Sequence, residues 1–194
     1  NTQLHFISVE KYPLSRAQIA KALALWPELK TQADALIEQY PLHIFTGQPS
    51  VHRLTFKQGE IKLTLIFDDA IAGLKQLAPS ANATPCVALQ HAHYSATPQK
   101  INAWFLDGFS PAKNPDMWQP ELFQLVAKLS QKNTTLSTFT AIKSLREGLS
   151  SVGFTIKKTT GFGKKREMLK GQLHSSSPDT NRLEWYLGQS QLAA

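Results

Sequence analysis

The sequence predicts an α/β fold, a mostly parallel sheet with helices on both faces. Three observations lead there. Strand-like and helix-like patterns alternate along the chain. Three of the strand patterns finish in an acid, at Glu10, Asp69 and Asp107. The last of these, Ile101 to Leu106, is a short apolar run that meets Asp107 and breaks into a loop carrying Gly108, Pro111 and Pro115. In sheets of this kind ligands bind outside the carboxyl ends of the strands, so acids placed there are candidate ligand groups.

The elements follow in order. Leu4 to Glu10 alternates like a strand. Ser15 is placed to cap a helix carrying Ile19, Leu23 and Trp26 at helical spacing, with Trp26 read as core. Pro27 opens a second helical stretch with Leu29, Ala33, Leu36 and Ile37 on one face. It ends near Tyr40, because the residue before Pro41 is pushed out of the helical region. Val51–Phe56 and Ile61–Phe67 form a predicted hairpin across a link containing Gly59, and the second strand runs into Asp68 and Asp69. An amphipathic segment follows from Ala70 to Leu77. Beyond the Asp107 loop, Pro120–Leu129 reads as a helix started by its proline. Thr134–Thr140 reads as a strand, Ile142–Ser151 as a helix and the run from Phe154 to Thr159 as another strand, and the stretch from Gly161 to Gly171 leads into a last one.

Residues 79–98 read as a long surface connection. His91 and His93 lie within it at a His-x-His spacing with no third ligand nearby, so no metal site is expected. Cys86 reads as a small apolar residue, since no base accompanies it. With one cysteine, no apolar run of spanning length and no secretory leader pattern, cytosol is the expected compartment.

The 194 residues carry a formal net charge of +7, which favours a polyanionic partner such as nucleic acid. Lys157, Lys158, Lys164, Lys165, Arg166 and Lys170 gather around two late strands and the Gly161-Phe162-Gly163 turn. They read either as a solvated face or as a phosphate-contacting patch. An acid after the second strand of a doubly wound sheet suits ribose hydroxyls, and an acid after the third suits an adenine amino group.

Three stretches carry a resemblance. Asp-Gly-Phe-Ser-Pro-Ala-Lys-Asn-Pro-Asp-Met-Trp at 107–118, Gly-Phe-Gly-Lys-Lys-Arg-Glu-Met-Leu at 161–169 and Phe-Ile-Ser-Val-Glu-Lys-Tyr-Pro-Leu at 6–14 resemble the methyltransferase domain of the bifunctional tRNA 5-methylaminomethyl-2-thiouridine biosynthesis proteins. The likeness spans Leu4 to about Leu173. It implies a Rossmann-like class I sheet dependent on S-adenosylmethionine. It implies methylation of the aminomethyl nitrogen of a modified uridine at the tRNA wobble position. Carried over by position, Glu10 holds the cofactor ribose, Lys11 joins the cofactor-binding set and Asp69 faces adenine. Asp107, with Phe109, Ser110 and Pro111, lines the place where methyl donor and amine meet. Phe109 packs either on the uracil ring or in the core. Lys113 and Asn114 shape that loop or touch substrate, and Lys164, Lys165 and Arg166 are expected to contact tRNA.

Members of that family also carry a strand and a glycine-rich loop ahead of the Glu10 strand, and a flavin (FAD)-dependent oxidase domain after the tail. This sequence begins and ends between them. The chain is therefore expected to be a segment of a longer protein, with a methyltransferase domain at 1–173 and a linker or tail at 174–194. The competing expectation is a catalytically silent RNA-binding or docking module.

Overall fold

The computed structural model of the chain describes residues 3–42, 48–78, 100–108, 111–161, 163 and 166–174. Two compact units are present, and the boundary between them falls within one helix, between Gly73 and Leu74.

The first unit begins with strand β1 (Leu4–Val9), then helix α1 (Arg16–Leu23) and helix α2 (Lys30–Gln39). Strands β2 (Ser50–Phe56) and β3 (Ile61–Phe67) follow, and then helix α3 (Ala70–Leu77). Ser15 caps α1 as its side chain implied. Its hydroxyl accepts from the Gln18 N–H while the Gln18 side chain accepts from the Ser15 N–H. Arg16 donates to the carbonyls of Ile37 and Glu38, fastening the start of α1 to the end of α2.

The sheet order is β1-β3-β2, with β1 parallel and β2 antiparallel to β3. Tyr40, just after α2, packs its ring on Phe67 on one face. Gly73 of α3 lies on the other face, so close that a Cβ there would sit 2.7 Å from Val9 Cγ1. Helices therefore cover both faces of this sheet.

Trp26 is not core. It is 56% exposed, because α1 stops at Leu23 and the chain turns through Ala24 and Leu25 before the 3-10 turn at Pro27. The spacing from Ile19 and Leu23 holds only while the helix lasts.

Two histidines stiffen the first sheet. His5 Nε2 shares a 2.8 Å hydrogen bond with Thr64 Oγ1, and His52 stacks at a tilt on Phe67 with centroids 5.1 Å apart. Burial, then Arg53 and Lys62, hold the His5 pKa below its ordinary 6.5, and burial does the same for His52. A folded state that prefers neutral imidazole binds fewer protons than the unfolded chain below that value. The contribution is complete above pH 6.5 and is lost as pH falls through it. The denaturation midpoint is accordingly expected to drop between pH 7 and 5, and His52→Phe is expected to remove part of that drop. A midpoint flat across the range contradicts this assignment.

The second unit contains strand β4 (Ile101–Phe105), helix α4 (Pro120–Leu129), strand β5 (Ser130–Thr138), helix α5 (Lys143–Ser151) and strands β6 (Phe154–Thr160) and β7 (Glu167–Leu173). The order is β4-β5-β7-β6, with β4 parallel to β5 and the other pairs antiparallel. The sheets are thus mixed rather than mostly parallel. The links before β3 and β7 are too short for a crossover, so those strands return as hairpins. Among the described residues β1 pairs only with β3, and β4 only with β5.

Helices α4 and α5 cover one face of the second sheet. Leu122, Phe123, Leu125, Val126 and Leu129 of α4 are buried, as are Leu145 and Leu149 of α5 and Leu136, Phe154, Leu169 and Leu173 of the strands. Gly171 lies under the side chains of Ile156 and Leu136, where a Cβ would sit 2.5 Å from Ile156 Cδ1. Strand β5 starts four residues before the expected Thr134. The pairing shifts between Ile101 and Ala103, and Asn133 takes a positive φ of 71° within the irregular stretch. Thr134 Oγ1 donates 2.6 Å to the Ile101 carbonyl, and Trp104 Nε1 donates 2.8 Å to Ser130 Oγ. These bonds anchor the start and middle of β4, so the end that carries Asp107 emerges from a fixed strand.

Candidate functional site

The rim of the first sheet carries the first group of sequence-predicted residues. Glu10 follows β1 directly, and the ladder extends to it. Its N–H donates to the Ile66 carbonyl at 2.9 Å, and its carbonyl accepts from the Asp68 N–H at 3.2 Å. Glu10 and the Asp68-Asp69 pair therefore leave the sheet side by side. The exposed Glu10 carboxylate accepts from the Tyr12 N–H through Oε1 at 2.9 Å. That bond orients the side chain and leaves its second oxygen for other donors. Tyr40 stands near it, its hydroxyl donating 2.9 Å to the Leu14 carbonyl. Burial and the Glu10 charge raise the Tyr40 pKa, so this wall of the rim stays neutral.

Asp69 has structural work of its own. Its Oδ1 accepts from the Ile71 N–H at 3.0 Å, capping α3, and its Oδ2 accepts from Lys11 Nζ at 3.2 Å. The Lys11–Asp69 pair is exposed, and its ammonium also lies 5.9 Å from the centroid of the Tyr12 ring. The structure thus brings together Glu10, Lys11 and Asp69. Sequence reasoning missed the roles of Tyr12 and Tyr40. Tyr12 acts through its backbone, and the contact of Tyr40 with this rim comes from the packing of α2 on the sheet.

In the second unit, Asp107 stands at the carboxyl end of β4, whose ladder runs on through the Leu106 N–H to the Ser137 carbonyl at 2.9 Å. Asp107 and Gly108 are exposed. The Met117 side chain lies against Gly108, where a Cβ would meet Met117 Cε at 2.0 Å, so the loop folds back on its own root. Pro115–Trp118 forms a 3-10 turn with Trp118 buried, which secures the far end of the loop. Lys113 is exposed and Pro111 and Asn114 are half-buried along it. Phe109 and Ser110 lie outside the described residues.

The basic cluster is divided by the strand period. Lys157 and Lys170 are cross-strand partners on the exposed face of the second sheet. Lys158 projects from the other face and is held 2.8 Å from Glu167. Arg166 is exposed, and its carbonyl closes the turn by accepting from the Gly161 N–H at 3.1 Å. Lys164 and Lys165 lie outside the described residues, as do Cys86, His91, His93 and 175–194. No group of three metal-ligating side chains occurs among the described residues.

Residues 27–174 match the family described as S-adenosyl-L-methionine-dependent methyltransferase. The chain belongs to that family. Its cofactor is therefore S-adenosyl-L-methionine. The rim fits such a group in kind, with a Glu10 carboxylate whose second oxygen accepts no bond among the described residues and a Lys11–Asp69 pair at adjacent strand ends. Among similar proteins, the tRNA 5-methylaminomethyl-2-thiouridine biosynthesis bifunctional protein MnmC of Stutzerimonas stutzeri is 44% identical over 95% of this methyltransferase chain. The protein of the same name from Saccharophagus degradans is 43% identical over 87%. The chain spans 24% of the length of each of these relatives. The crystal structure of MNMC2 from Aquifex aeolicus matches with a TM-score of 0.59 at 19% identity, over 95% of this chain and 49% of that one. That likeness is one of fold.

Proposed function

We propose that this chain transfers the methyl group of S-adenosylmethionine to the aminomethyl nitrogen of 5-aminomethyl-(2-thio)uridine at the tRNA wobble position, giving 5-methylaminomethyl-(2-thio)uridine. The observation that carries this reading is the 44% identity, over 95% of the chain, to a protein named for biosynthesis of that nucleoside. Methyltransferase family membership over residues 27–174 supports the same step.

The cofactor supplies an electrophilic methyl on a sulfonium, so the protein chiefly has to align donor and acceptor. The second oxygen of Glu10 accepts from ribose hydroxyls, with Tyr12 holding the carboxylate in place. Lys11 and Asp69 flank the adenine side, their charges largely balanced by each other. Asp107, exposed at the end of β4, accepts a hydrogen bond from the neutral acceptor amine or the cofactor ammonium. A carboxylate beside a cation keeps its charge, which makes it a weak base and a good electrostatic anchor. We assign Asp107 the anchor role. Pro111, with Phe109 and Ser110, lines the same loop, and Lys113 and Asn114 meet the nucleoside side of the substrate. Lys164, Lys165 and Arg166 extend the contact to the tRNA backbone.

The same reading places the methyltransferase domain at 1–173 and a linker at 174–194 leading to a flavin-dependent oxidase domain in the full-length protein. It also places the protein in the cytoplasm, where tRNA is modified. Among the described residues, no helix is long and apolar enough to cross a membrane.

The test is direct. Full-length protein is incubated with methyl-labelled S-adenosylmethionine and tRNA bearing 5-aminomethyl-2-thiouridine, and the nucleosides are then separated. One labelled methyl per tRNA, on the wobble nucleoside, is the expected result. Label on another nucleoside, or none, overturns the proposal.

A further inference from the structure

Strand register sorts the late lysines into two kinds. Along β6 and β7, side chains alternate between the face covered by α4 and α5 and the face turned away from them. Leu169 is buried on the covered face, and Lys158, its cross-strand partner, is rooted on the same side. Lys158 ends in an ion pair with Glu167 at 2.8 Å. Glu167 is the one carboxylate in β4, β5, β6 and β7, and the alternation puts it on that side as well.

Lys157 and Lys170 stand on the other face, directly opposite each other. Their roots are ~5 Å apart, a separation at which like charges on a sheet repel. Both side chains are exposed, and neither has an ion pair or hydrogen bond among the described residues. Ser137 of β5 pairs with Lys170, which sets its side chain in the same row as the two lysines. Gln172 and Thr155 face each other two residues along from Lys170 and Lys157. This face of β5, β7 and β6 thus presents two cations beside neutral hydroxyl and amide groups, and its strand residues include no carboxylate.

A like-charged pair left facing itself costs stability, and an anion placed between the two removes that cost. We propose that Lys157 and Lys170 hold a backbone phosphate of tRNA between them, with Ser137 and Gln172 as flanking hydrogen-bond groups. This inference rests on the tRNA reading above and extends its contact from Lys164, Lys165 and Arg166 onto the sheet. A phosphate offers several acceptor oxygens, so ammonium groups rooted on neighbouring strands reach it from two sides. A contact of this kind fixes where the tRNA lies and carries no base preference.

The experiment measures tRNA affinity of the full-length protein across a range of salt, beside S-adenosylmethionine affinity by calorimetry. Lys157→Gln with Lys170→Gln is expected to weaken tRNA binding several-fold and to lower the log–log salt slope by about 1, for the one phosphate released. Cofactor affinity should stay as in the wild type, and the thermal midpoint should hold or rise because the repulsion is gone. Lys158→Gln removes a charge of the same sign from the next position of β6 and serves as the control. Its tRNA affinity and slope should match the wild type. Should the double variant fold poorly, Lys157→Glu alone is expected to show the same loss, since the new carboxylate faces Lys170 and closes the site. Wild-type affinity and slope in a folded variant overturn the site while leaving the tRNA reading intact. An equal loss in Lys158→Gln also overturns it, because net charge then explains the effect. Failure of the wild type to bind tRNA overturns both.

Discussion

Asp107→Ala in the full-length protein is expected to lower methyl transfer by roughly two to three orders of magnitude, the scale of losing one preorganised electrostatic contact in a reacting site. The residue stands exposed at the end of β4. The strand beneath it is fixed by the bonds from Thr134 to the Ile101 carbonyl and from Trp104 to Ser130. The substitution removes a carboxylate without disturbing packing, so stability should change by no more than about 0.5 kcal/mol. Transfer of tRNA phosphate contacts is not involved, and tRNA affinity should stay near that of the wild type. Asp107→Asn separates the anchor from a base. The amide keeps an acceptor and loses the charge, so partial activity with a weakened cofactor or substrate affinity marks the anchor. Full turnover in either variant moves the chemistry to another group.

Phe123→Ala is expected to destabilise the second unit by about 3–5 kcal/mol. Phe123 is 1% exposed, in the centre of the α4 face formed by Leu122, Leu125, Val126 and Leu129. Removing its ring leaves a cavity that a helix of ten residues, bounded by Pro120 at one end and β5 at the other, has little freedom to close. A loss of that size is a large part of the 5–15 kcal/mol typical of a domain. Urea denaturation of wild type and variant measures it directly. A shift below about 1 kcal/mol means that the site repacks.

Elements whose signals are local were legible. Pro120–Leu129, Ile61–Phe67 and Ala70–Leu77 have the bounds that their periodicity implied. Ser15 caps α1 through neighbours three residues away, which a linear reading can see. Trp26 shows where such reading stops. Its spacing suited a helix that had already ended, and the turn at Ala24 and Leu25 carries it to the surface. The start of β5 was missed for a related reason, since the irregular stretch around Asn133 is held by hydrogen bonds to a strand about thirty residues earlier.

The sequence by itself determined the family, because the Asp107–Trp118 block and its two flanking motifs preserve residue types whose order along the chain is enough to recognise. It also determined that Glu10, Asp69 and Asp107 would stand at strand ends, since hydrophobic runs with turn signals show where strands stop. Only the tertiary structure decided what these groups touch. Lys11 meets Asp69 across 58 positions, His5 meets Thr64 across 59, and the like-charged Lys157 and Lys170 face each other while Lys158 turns away to Glu167. Such pairs depend on strand register, and a shift of one residue sends every side chain to the opposite face. Local residue preferences do not encode that register; the packing of whole sheets against their helices does.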